Sequence, residues 1–221
     1  MYNKIEEYFK ECSDKDRQIF NKRIINTNYY IHGLRNDEIR EALKLIDDYN
    51  DFLRMKNFES YEMMFLYSEV IAKLKDTSKI IAYLRGFLPL VDNWAIIDNL
   101  GSRLKKIDKT LMLEYVKECL ESDYEFIKRF GVVMFIDGYL REEYLDLFFD
   151  YFDRIDKSQY YVMMAVAWAI ASAYVKYKDR TLEYLDNNHL DDVTFNKAIS
   201  KINDSYKVTR EEKEMLRRKR R

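Results

Sequence analysis

The stretch VDNWAIIDNLGSRL, residues 91–104, carries the pattern on which the fold reading rests. At about 100° per residue in a helix, Ile96, Ile97, Leu100 and Leu104 cluster on one side and form a core-facing stripe. Trp94 and Asp98 are four residues apart, so they stack on one face, well away from the centre of that stripe. The small residues Gly101 and Ser102 flank them and leave room for something to approach. A large aromatic and a carboxylate therefore share an off-core surface. Two readings follow: a site, or a tryptophan packed on a neighbouring helix beside a solvated acid.

Outward from this segment the same periodicity recurs almost end to end. It marks helices near 2–11, 15–26, 36–49, 60–74, 78–87, 92–105, 109–121 and 124–137, and again near 141–153, 159–177, 179–186, 192–203 and 210–218. Asp14, Asp76-Thr77-Ser78, Asp108, Ser122-Asp123 and Asp156-Lys157-Ser158 each precede an apolar-periodic run, where side chains can cap the free N–H groups of a first turn. Five glycines and one proline in 221 residues leave too little turn chemistry for a many-stranded sandwich or barrel, and 48% hydrophobic residues suffice for a packed core. The fold class is all-α.

No linker rich in Pro, Gly or Ser divides the chain, and short connections make consecutive helices antiparallel neighbours. The expected organisation is one helical-repeat domain over residues 1–216 and a basic tail, 217–221. Helix pairs repeating every 35 to 45 residues or so are the signature of HEAT-type solenoids. Trp94, Arg129 and Trp168, spaced 35 and 39 apart, would sit on corresponding helices of successive repeats and line up along one surface.

Two further segments bear on these residues. In SQYYVMMAVAWAIASAY, 158–174, Tyr161, Ala165, Trp168 and Ser172 share one side, but the other sides are apolar too, so from this helix alone Trp168 reads as core. In DYEFIKRFGVVMF, 123–135, Phe126, Phe130, Val133 and Met134 form the buried stripe, with Arg129 at its edge and Lys128 pointing away. Arg129 can hold a phosphate by paired hydrogen bonds or join a surface ion pair.

Charge argues against an indiscriminate DNA binder. The formal net charge is −1, from 38 Lys and Arg against 39 Asp and Glu, and five positive charges sit in residues 217–221, so residues 1–216 alone carry −6. Any phosphate-binding surface must come from segregated charge. Arg217, Arg218 and Arg220 of the terminal run could add sequence-independent phosphate contacts.

Cys12 and Cys119 show no metal or redox spacing, and the charged start MYNKIEEYFKEC lacks the apolar region of a signal peptide, which points to a cytoplasmic protein. Ser158–Val175 is uncharged but contains Gln159, serines and tyrosines, so it reads as a core helix and no membrane association is expected. His32 and His189 lie far apart with no Cys or carboxylate cluster at ligand spacing, so no metal site is expected. Gly-rich phosphate loops, nucleophile elbows and HExxH units are absent.

The ordered set IHGLR (31–35), NWAIID (93–98), KRFGVVM (128–134), YYVMMAVAW (160–168) and LDDVTFNKAISKINDSYKVTREEKEML (190–216) resembles the AlkD-like alkylpurine DNA glycosylases over nearly the whole chain. The W-x3-D and A-x-A-W units are the parts most specific to function. The resemblance implies a HEAT-like solenoid with a concave face for double-stranded DNA carrying alkylated purines, acting as a monomer without metal or cofactor, cytoplasmic and at the nucleoid when bound. By that likeness Trp94 and Trp168 match the family's cleft tryptophans, Asp98 its catalytic aspartate and Arg129 its phosphate-contacting arginine. Asn36-Asp37 stand where the family's proline follows its G-V-R element, and the body is acidic. The alternative is a HEAT-like module that binds DNA structure or a protein without catalysis.

Overall fold

The computed structural model describes residues 1–55, 57–104 and 107–221. Fourteen α-helices run in order through them: α1 Tyr2–Glu11, α2 Lys15–Ile25, α3 Asn36–Glu41, α4 Tyr49–Phe52, α5 Tyr61–Ile71, α6 Thr77–Phe87 and α7 Trp94–Arg103. They continue as α8 Lys109–Leu120, α9 Glu125–Met134, α10 Glu142–Arg154, α11 Tyr160–Lys176, α12 Lys178–Asn187, α13 Asp192–Asn203 and α14 Arg210–Arg217. Apart from one isolated bridge between Tyr30 and Ser60 the described residues hold no β pairing, so the chain is all-α. No described helix is long and apolar enough to cross a membrane.

Most expected helices are found within a residue or two. Asp14 and Asp76 accept from first-turn amides as N-caps, at Arg17 N and at Ser78 and Lys79 N. Asp108 likewise accepts from Thr110 N and Leu111 N. The segment 36–49 is the exception. Its helix tightens to a 3-10 turn over Ala42–Leu45, Ile46 is extended, and Asp48 caps the separate short helix α4 through Asn50 N. Ser122 and Asp156 differ in another way: they close turns on Tyr124 N and Ser158 N, short of the helices that follow. Of the helix expected at 92–105, Lys105 lies outside the described residues.

The chain forms two compact units, Met1–Met112 and Leu113–Arg221. In the first, α5 is the centre, with every residue from Tyr61 to Ile71 buried. That burial takes two carboxylates inside, and both are satisfied. Glu62 accepts from the backbone N–H groups of His32 (3.0 Å), Gly33 (2.8 Å) and Leu34 (3.3 Å), and Glu69 is bonded by side chains from two other helices, Arg40 from α3 and Asn99 and Arg103 from α7. Donors in this number offset the cost of burying a carboxylate. This explains the IHGLR segment: Gly33 has φ 90°, and a Cβ there would lie 2.4 Å from the Asp14 carbonyl oxygen. At the start of α3, where the sequence has no proline, Glu38 reaches back to accept from Arg35 N at 2.6 Å.

The second unit shows the register of stacked helix pairs. Tyr161 N donates to Glu125 Oε1 at the N-terminal ends of α11 and α9, and Lys176 Nζ donates to the Leu140 carbonyl at their C-terminal ends, so the two helices run parallel. In the returning layer Arg180 pairs with Asp146, and Tyr184 donates to Asp153 while its ring stacks on Phe149 at 4.1 Å, making α10 and α12 parallel as well. Each of these pairs lies one repeat, 31 to 36 residues, apart in sequence. Helix α11 packs between α9 and α13. Gly131 permits the close approach of α9 to α8, since a Cβ would lie 2.8 Å from Leu120 Cγ.

Candidate functional site

The four residues singled out on chemical grounds divide two and two between the units. Trp94 and Asp98 lie on α7 in the first; Arg129 and Trp168 lie on the neighbouring helices α9 and α11 in the second.

Trp94 is the first residue of α7, and its position is set by what starts that helix. Asn93 is fully buried as the N-cap and accepts from Ile96 N at 3.2 Å, a type of interaction that contributes about 1 kcal/mol. Asp92 before it accepts from Thr27 Oγ1 (2.6 Å) and Asn28 N (2.7 Å), tying the helix start to the segment after α2. The indole then donates from Nε1 to the Ile24 carbonyl at 2.9 Å, in the last turn of α2. Ile96, Ile97 and Leu100 are fully buried, as the stripe requires, and Trp94 and Asp98 are half-buried on another side. One turn of helix separates a fixed aromatic ring from a carboxylate. Thr27, Asn28 and Asp92, which fix it, were not singled out from the sequence, because their contacts bridge more than sixty residues.

Beside Asp98, Asn99 and Arg103 face a second arrangement. Glu69 is bonded by Arg103 Nε and Nη2 (3.0 and 2.9 Å), Arg40 Nε (2.9 Å) and Asn99 Nδ2 (3.0 Å). Burial alone would raise this carboxyl, but the hydrogen bonds from Arg103, Asn99 and Arg40 outweigh it and hold it below its ordinary value. Two guanidiniums converge on this one carboxylate, so its charge is fully compensated.

In the second unit α9 is buried on all sides from Lys128 to Met134, which corrects the expectation that Lys128 points away. Its ammonium turns inward and donates to the Asp156 carbonyl at 3.2 Å. Arg129 is only 6% exposed, and Nη1 donates to the Tyr161 carbonyl at 2.8 Å in the first turn of α11. Phe126, expected in the buried stripe, is half-buried and packs on Tyr161.

After Met134 the helix widens into a π-helical segment, Phe135–Tyr139, a distortion common at functional sites. It brings Ile136 and Leu140 beneath a cleft of about 690 Å³. Trp168, Ser172 and Val175 line the same cleft from the one side of α11 that is not fully buried. Lys201, Asp204, Tyr206 and Lys207 line it from the end of α13 and the turn that follows. Neither the π segment nor the α13 turn was legible as part of a site from periodicity.

The terminal basic run is folded against α12 and α13. Lys219 pairs with Asp186, Arg220 Nη2 donates to Ser200 Oγ at 2.6 Å, and Arg221 lies over the Phe195 ring at 4.2 Å while donating to the Leu190 carbonyl. Arg217 and Arg218 are exposed. Among the described residues no group of three or more His, Cys, Asp or Glu is arranged to hold a metal ion.

A family model described as DNA alkylation repair enzyme matches residues 5–202, a span that includes α7, α9 and α11 with all four residues. The chain belongs to that family. Membership assigns it a role in DNA alkylation repair and makes DNA its partner. No curated protein matches the chain. As a DNA alkylation repair enzyme it has to act on a polyanion with a net charge of −1, so where its positive charge faces solvent is the electrostatic question its fold must answer.

Proposed function

We propose that the protein is a DNA glycosylase that excises cationic N3- and N7-alkylated purines from duplex DNA. Alkylation at either position places positive charge on the base, so the glycosidic bond is already weakened. Water adds at C1′ as the C1′–N9 bond breaks; the purine leaves as the neutral alkylated base and the water proton passes to solvent. Positive charge builds on the deoxyribose in between. A carboxylate beside the sugar stabilises that oxocarbenium-like state electrostatically and orients the water, which is the part assigned to Asp98.

The single observation that carries this reading is the pinning of the Trp94 ring by the Ile24 carbonyl, one helical turn from Asp98. A ring that cannot swing away keeps water off one side of the reacting sugar and strengthens the field of the carboxylate next to it. Trp168 serves in this reading as an aromatic surface of the second unit on which a sugar face of the bound duplex packs. Arg129, bonded to the Tyr161 carbonyl, acts as a fixed positive charge under the first turn of α11 and as a positioning residue. The approach is from the backbone side, as the likeness to AlkD-like enzymes implies, and the alkylated duplex is bound by a monomer.

The competing reading, a binding module without catalysis, draws on the charge of −6 over residues 1–216. Incubation with methylated duplex DNA separates the two. A glycosylase releases free 3-methyladenine and 7-methylguanine and leaves abasic sites in equal number. Duplex binding with no base released contradicts the enzyme and supports the module.

A further inference from the structure

The cleft on α11 and α13 has a composition that Trp168 alone does not explain. Its floor is apolar, from Ile136 and Leu140, yet its rim carries Lys176, Lys201 and Lys207 against the single acid Asp204. Lys176 is engaged by the Leu140 carbonyl. Lys201 and Lys207 take part in no ion pair among the described residues. On the same rim Tyr206 is 103% exposed, an aromatic with its whole surface in water. It sits in a turn held by Lys207 N donating to Ser205 Oγ at 3.2 Å, so its backbone is fixed although its ring has no neighbour to pack on. In a chain of net negative charge, two uncommitted lysines flanking an exposed tyrosine, opposite a half-buried tryptophan, are a local reversal of sign that suits a polyanion with planar or sugar faces.

We infer that Lys201, Tyr206 and Lys207 form a backbone clamp on duplex DNA: the two lysines take phosphates, and the Tyr206 ring packs on a deoxyribose of the strand that Trp168 faces. This rests on the DNA-binding half of the function proposed above and not on base excision. The clamp supplies position and affinity only, with no part in the chemistry.

The test is binding of an unmodified duplex of about two helical turns, measured from low to physiological salt on the full chain. Lys201→Ala/Lys207→Ala is expected to lower the slope of log affinity against log salt by roughly 2, because each phosphate that a lysine neutralises contributes about 0.9 to it. Lys201→Arg/Lys207→Arg should restore it. Tyr206→Ala is expected to weaken binding about tenfold, and Tyr206→Phe to keep most of the affinity. Both sites are on the surface, so thermal melting should match wild type. Wild-type slope and affinity in the alanine variants, or a wild-type protein that binds no duplex, would overturn the inference. If wild type releases no methylated base while the lysine variants still lose their salt slope, the excision chemistry fails and the clamp stands. Release by wild type with binding unchanged in the variants gives the opposite result.

Discussion

Trp94 and Trp168 are held in opposite ways. Trp94 opens its helix, bonded through Nε1 to Ile24, with Asp98 one turn along and two residues of a distant segment fixing the helix start. Trp168 sits in the middle of a helix that is buried on nearly every other side, and it borders an open cleft with a basic rim. The first setting is suited to fixing a ring beside a charge, the second to receiving a charged chain. The difference separates chemistry from grip: variants around Trp94 should change turnover, and variants around Trp168 should change affinity.

The largest effect expected apart from Asp98 itself falls on the packing of the first unit, which carries Trp94. Glu62→Ala strips the acceptor from three buried N–H groups and should cost on the order of 3 kcal/mol of stability, read as a lower midpoint in urea. A midpoint near wild type would show that the loop holds without its carboxylate.

A smaller effect sharpens the contrast between the tryptophans. Trp94→Phe keeps a ring but removes the donor to the Ile24 carbonyl, which costs about 1 kcal/mol and should slow excision several-fold with DNA affinity unchanged. Trp168→Ala should weaken DNA binding about tenfold and leave the rate at saturating DNA nearly intact. Equal effects of both variants on both quantities would erase the distinction.

Acid sensitivity follows from the first unit. Glu6, bonded by His32 Nε2 at 3.1 Å and Ser60 Oγ at 3.0 Å, and Glu69 are both held below their ordinary values, because hydrogen bonds outweigh the burial that would raise them. A carboxyl lowered in the folded state binds its proton more readily when unfolded, so its stabilisation is present above the unfolded value, near 4.5, and is lost as pH falls through the folded one. Stability should decline from about pH 4.5 downward, and Glu69→Gln should flatten that decline in a series of melts. An unchanged slope in Glu69→Gln would show that Glu69 contributes nothing to the acid sensitivity.

How much was legible in the sequence follows from the range of the interactions. Asp14, Asp76 and Asp108 cap through amides two or three residues away, so the helix starts they mark could be read locally. The surface shared by Trp94 and Asp98 was legible for the same reason, since one helix's periodicity decides it. Residues 36–49 misled because the apolar spacing continues through a 3-10 turn and a break at Ile46. Lys128 misled because its partner, the Asp156 carbonyl, comes from the next repeat. The supports of Trp94 depend on contacts between distant segments, and the turn after α13, although closed locally, meets Trp168 in one cleft only in the folded chain, which no local pattern carries.

Asp98 is assigned the chemistry while other residues hold the DNA. Single-turnover release of 7-methylguanine from methylated duplex by wild type and Asp98→Asn, with duplex affinity measured on the same samples, separates the two roles. The expected result is a loss in rate of roughly 100-fold to 1,000-fold with affinity unchanged or slightly raised. Release by Asp98→Asn at the wild-type rate would contradict it.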